Sequence, residues 1–453
     1  MPRAPEVSRL VAEARLAFED QRDDAEAMFA RVPETLRYDP GLILDRARWL
    51  RRNDRLEDAV ATLRQRPADL VRPAAWISER EIVVRRLLDE GKHQLAYALA
   101  TWRGLGESGT ALAEASFLSG WIALRWLGDA ATAYQHFSAL YENATLSATR
   151  ARGAFWMARA ADAMGKPDVA RSWFAVAAAL GATFYGQLAS ASLHTAVQLE
   201  FPPEPQPSQQ NIDALNASEL VRGARMLAEI GQDDLAKLFV LKVAASAKTP
   251  GEQKLVARLA SALGALDVAI AAAKRAGQDG VPLLSEGFPI LTFKPHPSVE
   301  APLVLAIARQ ESAFDKAAVS RAGALGVMQL KPETAHEITK ALGMQFSKER
   351  LVIDATYNLT LGQAFLDRLL ERFGGSYLLA AAAYNAGPAR VKQWLDAFGD
   401  PRGHTVDPVD WIESIPYPET RNYVQRVLEN LQIYRLRLGT AKSTLTLALD
   451  LQR

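Results

Sequence analysis

The sequence predicts a mainly α-helical protein in which a superhelix of helical hairpins, a solenoid or ring, is followed by a separate helical domain. Three observations carry that expectation. A turn-forming residue followed by alanine recurs at constant spacing, proline and glycine clusters interrupt the pattern twice, and a strongly patterned helix opens at Pro302 after the second cluster. A chain of 453 residues is also too long for one ordinary hydrophobic core, which makes two or three domains the expectation.

The repeat comes first. Asp54/Ala59, Gly91/Ala96, Gly128/Ala133 and Gly165/Ala170 follow one another at intervals of 37 residues, and Gly231/Ala236 and Gly264/Ala269 have the same form. Glycine takes the left-handed conformation that ends one helix, and alanine lets the next helix approach its neighbour closely. Trp49, Trp76, Trp102, Trp121, Trp126, Trp156 and Trp173 all fall in this part of the chain. They read as packing within and between hairpins, since large aromatic rings dominate buried area.

Phe201-Pro202-Pro203-Glu204-Pro205-Gln206-Pro207-Ser208 forbids both a helix and a central strand, and a second proline and glycine cluster spans residues 280–297. The expected organisation is a helical-repeat domain over residues 1–200, linking hairpins over 201–288, and a final domain over 289–453.

Composition narrows the function classes. Apolar residues make up 49% and charged residues 23%, the balance of a folded protein. A net charge of +1 lacks the cationic excess that nucleic-acid binding needs, so no nucleic-acid partner is expected. With no cysteine, thiolate chemistry and disulfides are excluded. The six histidines (His93, His136, His194, His296, His336 and His404) make no pair at ligand spacing, and neither metal nor cofactor is expected. The most apolar stretch, around residues 113–127, is broken by Glu114, Ser116, Ser119 and Arg125, so no integral membrane segment is expected. The first residues lack the pattern of a secretory signal.

In the helix opened by Pro302, Val304, Ile307 and Ala308 define an apolar stripe whose next position is Glu311. A carboxylate there, near the negative end of the helix dipole, is expected to hold its proton more tightly than usual. That suits a general acid. An ion pair with Arg309, Lys316 or Arg321 is the structural alternative.

Arg309-Gln310-Glu311-Ser312-Ala313-Phe314 resembles the start of the catalytic domain of soluble lytic transglycosylases. Gly326-Val327-Met328-Gln329-Leu330-Lys331-Pro332, Ala383-Tyr384-Asn385-Ala386-Gly387-Pro388 and Ile415-Pro416-Tyr417-Pro418-Glu419-Thr420-Arg421-Asn422-Tyr423-Val424 are similar to the three motifs that follow in that family, in the same order. Upstream, Phe155-Trp156-Met157-Ala158-Arg159-Ala160 and Thr183-Phe184-Tyr185-Gly186-Gln187-Leu188-Ala189 look like segments of its helical ring domain. The resemblance implies a lysozyme-like α-helical catalytic domain. It implies cleavage of peptidoglycan between N-acetylmuramic acid and N-acetylglucosamine without water, leaving a 1,6-anhydro sugar.

Under that resemblance Glu311 serves as acid and then base. Ser320, Gln329, Tyr384 and Glu419 orient the muramoyl sugar or its peptide, with Asn385 and Tyr423 as further binding residues and Met328 lining the cleft. Ser320 and Lys331 sit in neighbourhoods that depart from the commonest family pattern. The resemblance further implies glycan strands and wall-synthesis or division proteins as partners, and a periplasmic location. A hydrolase of muramidase type on the same fold, or a non-catalytic repeat scaffold of wall enzymes, are the competing readings.

Overall fold

The computed structural model describes residues 6–453 apart from 66, 68–69, 71, 102–108, 194–200, 202, 279–281, 404 and 441–444. Trp102, His194, Pro202 and His404 therefore lie outside the described residues. The chain divides into two units, residues 1–145 with 152–173, and residues 146–151 with 174–453.

All six turn residues of the repeat have left-handed backbone: φ is 56° at Asp54, 72° at Gly91, 65° at Gly128, 70° at Gly165, 72° at Gly231 and 74° at Gly264. The alanine that follows each one is at most 2% exposed. At Gly91 the helix Pro73–Asp89 ends with Lys92 N–H donating to Leu87 O at 2.8 Å and Gly91 N–H donating to Leu88 O at 3.0 Å. The next helix, His93–Ala100, runs back along it. This is the glycine-terminated helix end that consumes orphan carbonyls. The residue pattern thus sets the hairpin, and stacked hairpins bury the alanine face. In the first unit Trp49, Trp76, Trp121 and Trp156 are buried, in keeping with packing.

The second unit contains two more hairpins of this kind, Glu219–Glu229 with Asp233–Ser246, and Pro250–Ala262 with helix α1 (Leu266–Gln278). Their common core is built from valine and alanine, including Val240, Ala257, Ala260 and Ala269. Thr249 caps the third of these helices, accepting from Glu252 N–H while Glu252 accepts in return, a reciprocal capping box.

The second unit also holds helix α2 (Ala301–Ser312), which carries Glu311. There α3 (Pro332–Ala341) packs on α4 (Ala355–Arg372), α4 and α6 (Pro388–Phe398) pack on α5 (Tyr377–Ala386), and α5 and α2 pack on α7 (Pro418–Arg437). The sequence gives α2 one apolar stripe. In the structure it is buried on every side from Leu303 to Ala308, because α7 packs along it. A helix apolar all round belongs inside a core. Among the described residues there is no β-strand; Val319 pairs with Leu325 and Leu325 with Leu330 in isolated bridges that pin the segment after α2.

Candidate active site

α2 carries Glu311 to its last turn. Pro302 sits in the first turn, and Ala313 closes the end in the left-handed conformation with φ of 51°, followed by Phe314 at 66°. Two successive non-glycine residues at positive φ are costly, and such strain persists only where surrounding packing holds it. Ser312 Oγ donates to Val327 O at 2.7 Å and ties this end to the second motif.

Glu311 Oε1 accepts a 2.6 Å hydrogen bond from the Tyr423 hydroxyl of α7, a residue 112 positions away. Glu311 forms no ion pair among the described residues. Arg309 turns away from it, donating to Gly287 O at 2.7 Å and Asn430 Oδ1 at 2.9 Å. The ion-pair alternative therefore has no counterpart at Arg309. Burial pushes the Glu311 carboxyl up to about 7; the Tyr423 hydrogen bond works against that shift and the charge of Glu419 adds to it. Burial also raises the Tyr384 and Tyr423 phenols well above their usual range, with Glu311 contributing to both, so they remain neutral donors.

The second motif folds as a tight irregular turn. Gly323 and Gly326 have φ of 79° and 76°, Gln329 has 47°, and Pro332 starts α3. A Cβ on Gly326 would lie 2.0 Å from Leu351 O, so the position excludes any side chain. Met328 is fully buried, with Gly362 of α4 opening the space its thioether fills. Its side chain is closed off from solvent. Its carbonyl, by contrast, accepts from the Tyr384 hydroxyl at 2.8 Å.

Gln329 Nε2 donates to Ala318 O and Gly326 O at 3.1 and 2.8 Å, and so braces the turn. Ser320 Oγ accepts from Ala324 N–H at 2.9 Å within the same loop. Asn385 lies in the last turn of α5, where its Oδ1 accepts from the Thr420 hydroxyl of α7 at 2.7 Å. Gly387, with φ of 88°, then separates α5 from α6. Glu419 is exposed in the first turn of α7. Hydrogen bonds thus join Glu311 to Tyr423 and Tyr384 to Met328, while Ser320 and Gln329 bond inside their own loop.

Two residues here have no forerunner in the sequence reading. Asn358 of α4 is completely buried; its Oδ1 accepts from Met328 N–H at 2.8 Å, and its amide donates to Leu325 O and Leu351 O at 2.9 and 3.0 Å. The available signal was an amide among Tyr357, Leu359 and Leu361, the same anomaly that marks Glu311. The second is Lys237, which bonds Asp315 and Asp267 at 2.9 Å each. Asp315 reads from sequence as a cap or solvated residue. It instead anchors the strained loop after α2 to the preceding hairpins.

Glu333 and Glu337 are exposed on α3, and Asp354 caps α4 by accepting from Tyr357 N–H at 2.9 Å. None of the three makes a hydrogen bond with Glu311 among the described residues. The arrangement can present one carboxyl group, protonated near neutral pH and held by a neutral phenol, to a bond that needs a proton.

Residues 290–405 match the family model described as the transglycosylase SLT domain, and residues 414–443 match the soluble lytic transglycosylase helical domain. The chain is 37% identical over 163 residues to the soluble lytic murein transglycosylase of Escherichia coli K12, covering 34% of this chain and 25% of that protein. Similarity to the membrane-bound lytic murein transglycosylase D of the same organism is 34% over 145 residues, 30% of each chain. The sequence alignments thus span about a quarter to a third of these curated relatives. An X-ray structure of an inactive mutant of lytic transglycosylase Slt from Pseudomonas aeruginosa shares the fold with a TM-score of 0.69 at 24% identity, over 96% of this chain and 73% of that one. The 70-kDa soluble lytic transglycosylase in complex with bulgecin A does so at 0.69 and 23% identity, over 97% and 74%.

Proposed function

From its similarity to soluble lytic transglycosylases, we propose that this chain cleaves the β-1,4 bond between N-acetylmuramic acid and N-acetylglucosamine of peptidoglycan without consuming water. Residues 289–453 form the catalytic domain in this reading. The observation that carries it is the state of Glu311: a carboxyl group desolvated at the end of a buried helix, bonded by a phenol at 2.6 Å, with a pKa of about 7.

In the first step Glu311 gives its proton to the glycosidic oxygen as the C1–O bond breaks, and the N-acetylglucosamine fragment leaves as an alcohol. In the second, the muramoyl C6 oxygen closes on C1 and its proton passes to the Glu311 carboxylate. Atoms balance with no water taken up, the product ends in a 1,6-anhydro ring, and Glu311 is returned protonated. One group is acid and then base. A pKa near the working pH serves both steps, because neither form is strongly disfavoured.

Hydrolysis by two carboxyl groups needs a partner across the sugar. The carboxylate whose charge reaches Glu311 is Glu419, exposed on α7, and we assign it to substrate contact. The substrate's own N-acetyl group supplies the assistance that a second carboxylate would give. Tyr423 holds the carboxyl group in place, and Tyr384, Asn385, Gln329 and Ser320 form the wall that orients the sugar. A buried Met328 supports that wall from behind.

The substrate sets the location we propose, the periplasmic wall. Digestion of purified sacculi by the wild type and by Glu311→Gln, read by mass spectrometry, tests the reading. Release of anhydro-muropeptides by the wild type and none by the variant is expected. Reducing muropeptides, one water heavier, would assign a hydrolase instead, and undiminished cleavage by the variant would remove Glu311 from the chemistry.

A further inference from the structure

The motif Thr183-Phe184-Tyr185-Gly186-Gln187 opens the helix Phe184–Leu193, which packs on α7 within the second unit. Thr183 caps that helix, its hydroxyl accepting from Gly186 N–H at 3.1 Å. The first amide of the helix, on Phe184, has no acceptor inside it and donates to Glu429 Oε2 of α7 at 2.8 Å, which sets a carboxylate at the positive end of the dipole. Gln187 is completely buried and donates from Nε2 to the Glu429 carbonyl at 3.2 Å.

Tyr185 makes the connection furthest along the chain. Its hydroxyl donates to Glu413 Oε1 on the short helix Pro408–Ser414, and both residues are buried. Gln425 of α7 closes a triangle, with Nε2 donating to the Tyr185 hydroxyl at 3.3 Å and to Glu413 Oε1 at 3.1 Å. One turn earlier, Arg421 Nη1 donates to Ile415 O at 2.7 Å, directly after the short helix. Arg421, Gln425 and Glu429 recur every four residues and so share one face of α7. Tyr423, two residues from both Arg421 and Gln425, is turned by about 200° from them and meets Glu311 on the opposite face.

We propose that Tyr185 is a positioning residue for the reaction: through Glu413 and Gln425 it fixes the rotation of α7, and with it the point at which the Tyr423 hydroxyl meets Glu311. The inference deepens the reading of Glu311 as acid and base, and rests on it. Apolar packing of α7 on α2 is non-directional and tolerates small rotations, whereas a buried network of directed hydrogen bonds has one satisfied setting. The lever is long. Turning α7 by ~10° would carry a phenol oxygen roughly 8 Å from the helix axis through more than ~1 Å. A hydrogen bond of 2.6 Å does not survive that displacement.

Glu311 itself reports the rotation. The titrating groups that act on or respond to it are Tyr423 and Glu419 of α7 and Tyr384 of α5. Two of the three ride on α7. Between those two, the Tyr423 hydrogen bond, which lowers the Glu311 pKa, outweighs the charge of Glu419, which raises it. Releasing α7 therefore moves the carboxyl group further above about 7.

Tyr185→Phe tests the proposal, because it keeps the ring and removes only the hydroxyl. On soluble peptidoglycan fragments kcat should fall about tenfold with KM little changed. The alkaline limb of kcat/KM should move up, by less than in Tyr423→Phe. Gln425→Met should move it the same way, and on a Tyr423→Phe background Tyr185→Phe should move it no further. A rate that only tracks the folded fraction in thermal denaturation, with the limb unmoved, would overturn the proposal, as would a further shift on the Tyr423→Phe background. The same pKa is readable without activity. The urea stability difference between Glu311→Gln and its parent grows with pH up to the folded pKa, so in a Tyr185→Phe parent it should go on growing to higher pH. Identical pH dependence in both parents would overturn the positioning role. That stability shift in a wild type that cleaves no peptidoglycan would refute the enzymatic reading alone.

Discussion

Replacing Glu311 by glutamine removes a titrating group whose folded and unfolded pKa values differ, and the consequence for stability can be worked out. The carboxyl group moves from its ordinary 4.5 to about 7 on folding, chiefly through burial. The native state then holds more protons than the unfolded state between those two values. Its stabilising share is fully present below pH 4.5 and is lost as pH rises through 7. Relative to a neutral glutamine the wild type is therefore less stable by about 1 kcal/mol at pH 5 and about 3 kcal/mol at pH 8. Glutamine keeps an oxygen that can accept from Tyr423, so the variant retains the contact observed at 2.6 Å. Urea unfolding of both proteins at pH 5, 6, 7 and 8, compared at equal m-value, measures the difference. Glu311→Gln should gain on the wild type steadily across that range while losing all glycan cleavage. A stability difference independent of pH would mean that Glu311 is not desolvated, and the case for a general acid would lose its physical basis.

The pH profile of kcat/KM should fall above about pH 7 as Glu311 loses its proton, and its neighbours should move that limb in opposite directions. Glu419→Gln removes a like charge and shifts the limb down; Tyr423→Phe removes the hydrogen bond to the carboxylate and shifts it up. Identical limbs in both variants would sever either residue from the acid. Gly326→Ala places a Cβ 2.0 Å from Leu351 O at φ of 76° and should cost about 3 kcal/mol or more, read by thermal denaturation. Asn358→Leu breaks three buried hydrogen bonds to the second-motif turn and should cost about 2–4 kcal/mol; activity should fall further than the folded fraction does. Cleavage that merely tracks the folded fraction would limit Asn358 to a structural role.

Those perturbations divide along the line between local and long-range information. The hairpin repeat was legible because its causes are local: a residue able to take positive φ ends a helix wherever it stands, and an alanine at fixed distance permits close packing. Each of the six turns and each of the six alanines therefore has the expected conformation and burial. Glu311 was visible as a carboxylate on an apolar stripe, and Gly326, Pro332, Gly387 and Pro388 marked their turns by the same local chemistry.

What holds the carboxyl group was not visible, since Tyr423 lies 112 residues away and only the packing of α7 against α2 brings it to 2.6 Å. Asn358 and Lys237 escaped notice for the same reason, as their partners are distant in sequence. The sequence by itself determined which segments become helices, where they stop and which single carboxylate is out of place. Tertiary structure decided how strongly that carboxylate is desolvated and which groups face it, because burial and electrostatic fields are sums over neighbours that the linear order does not contain.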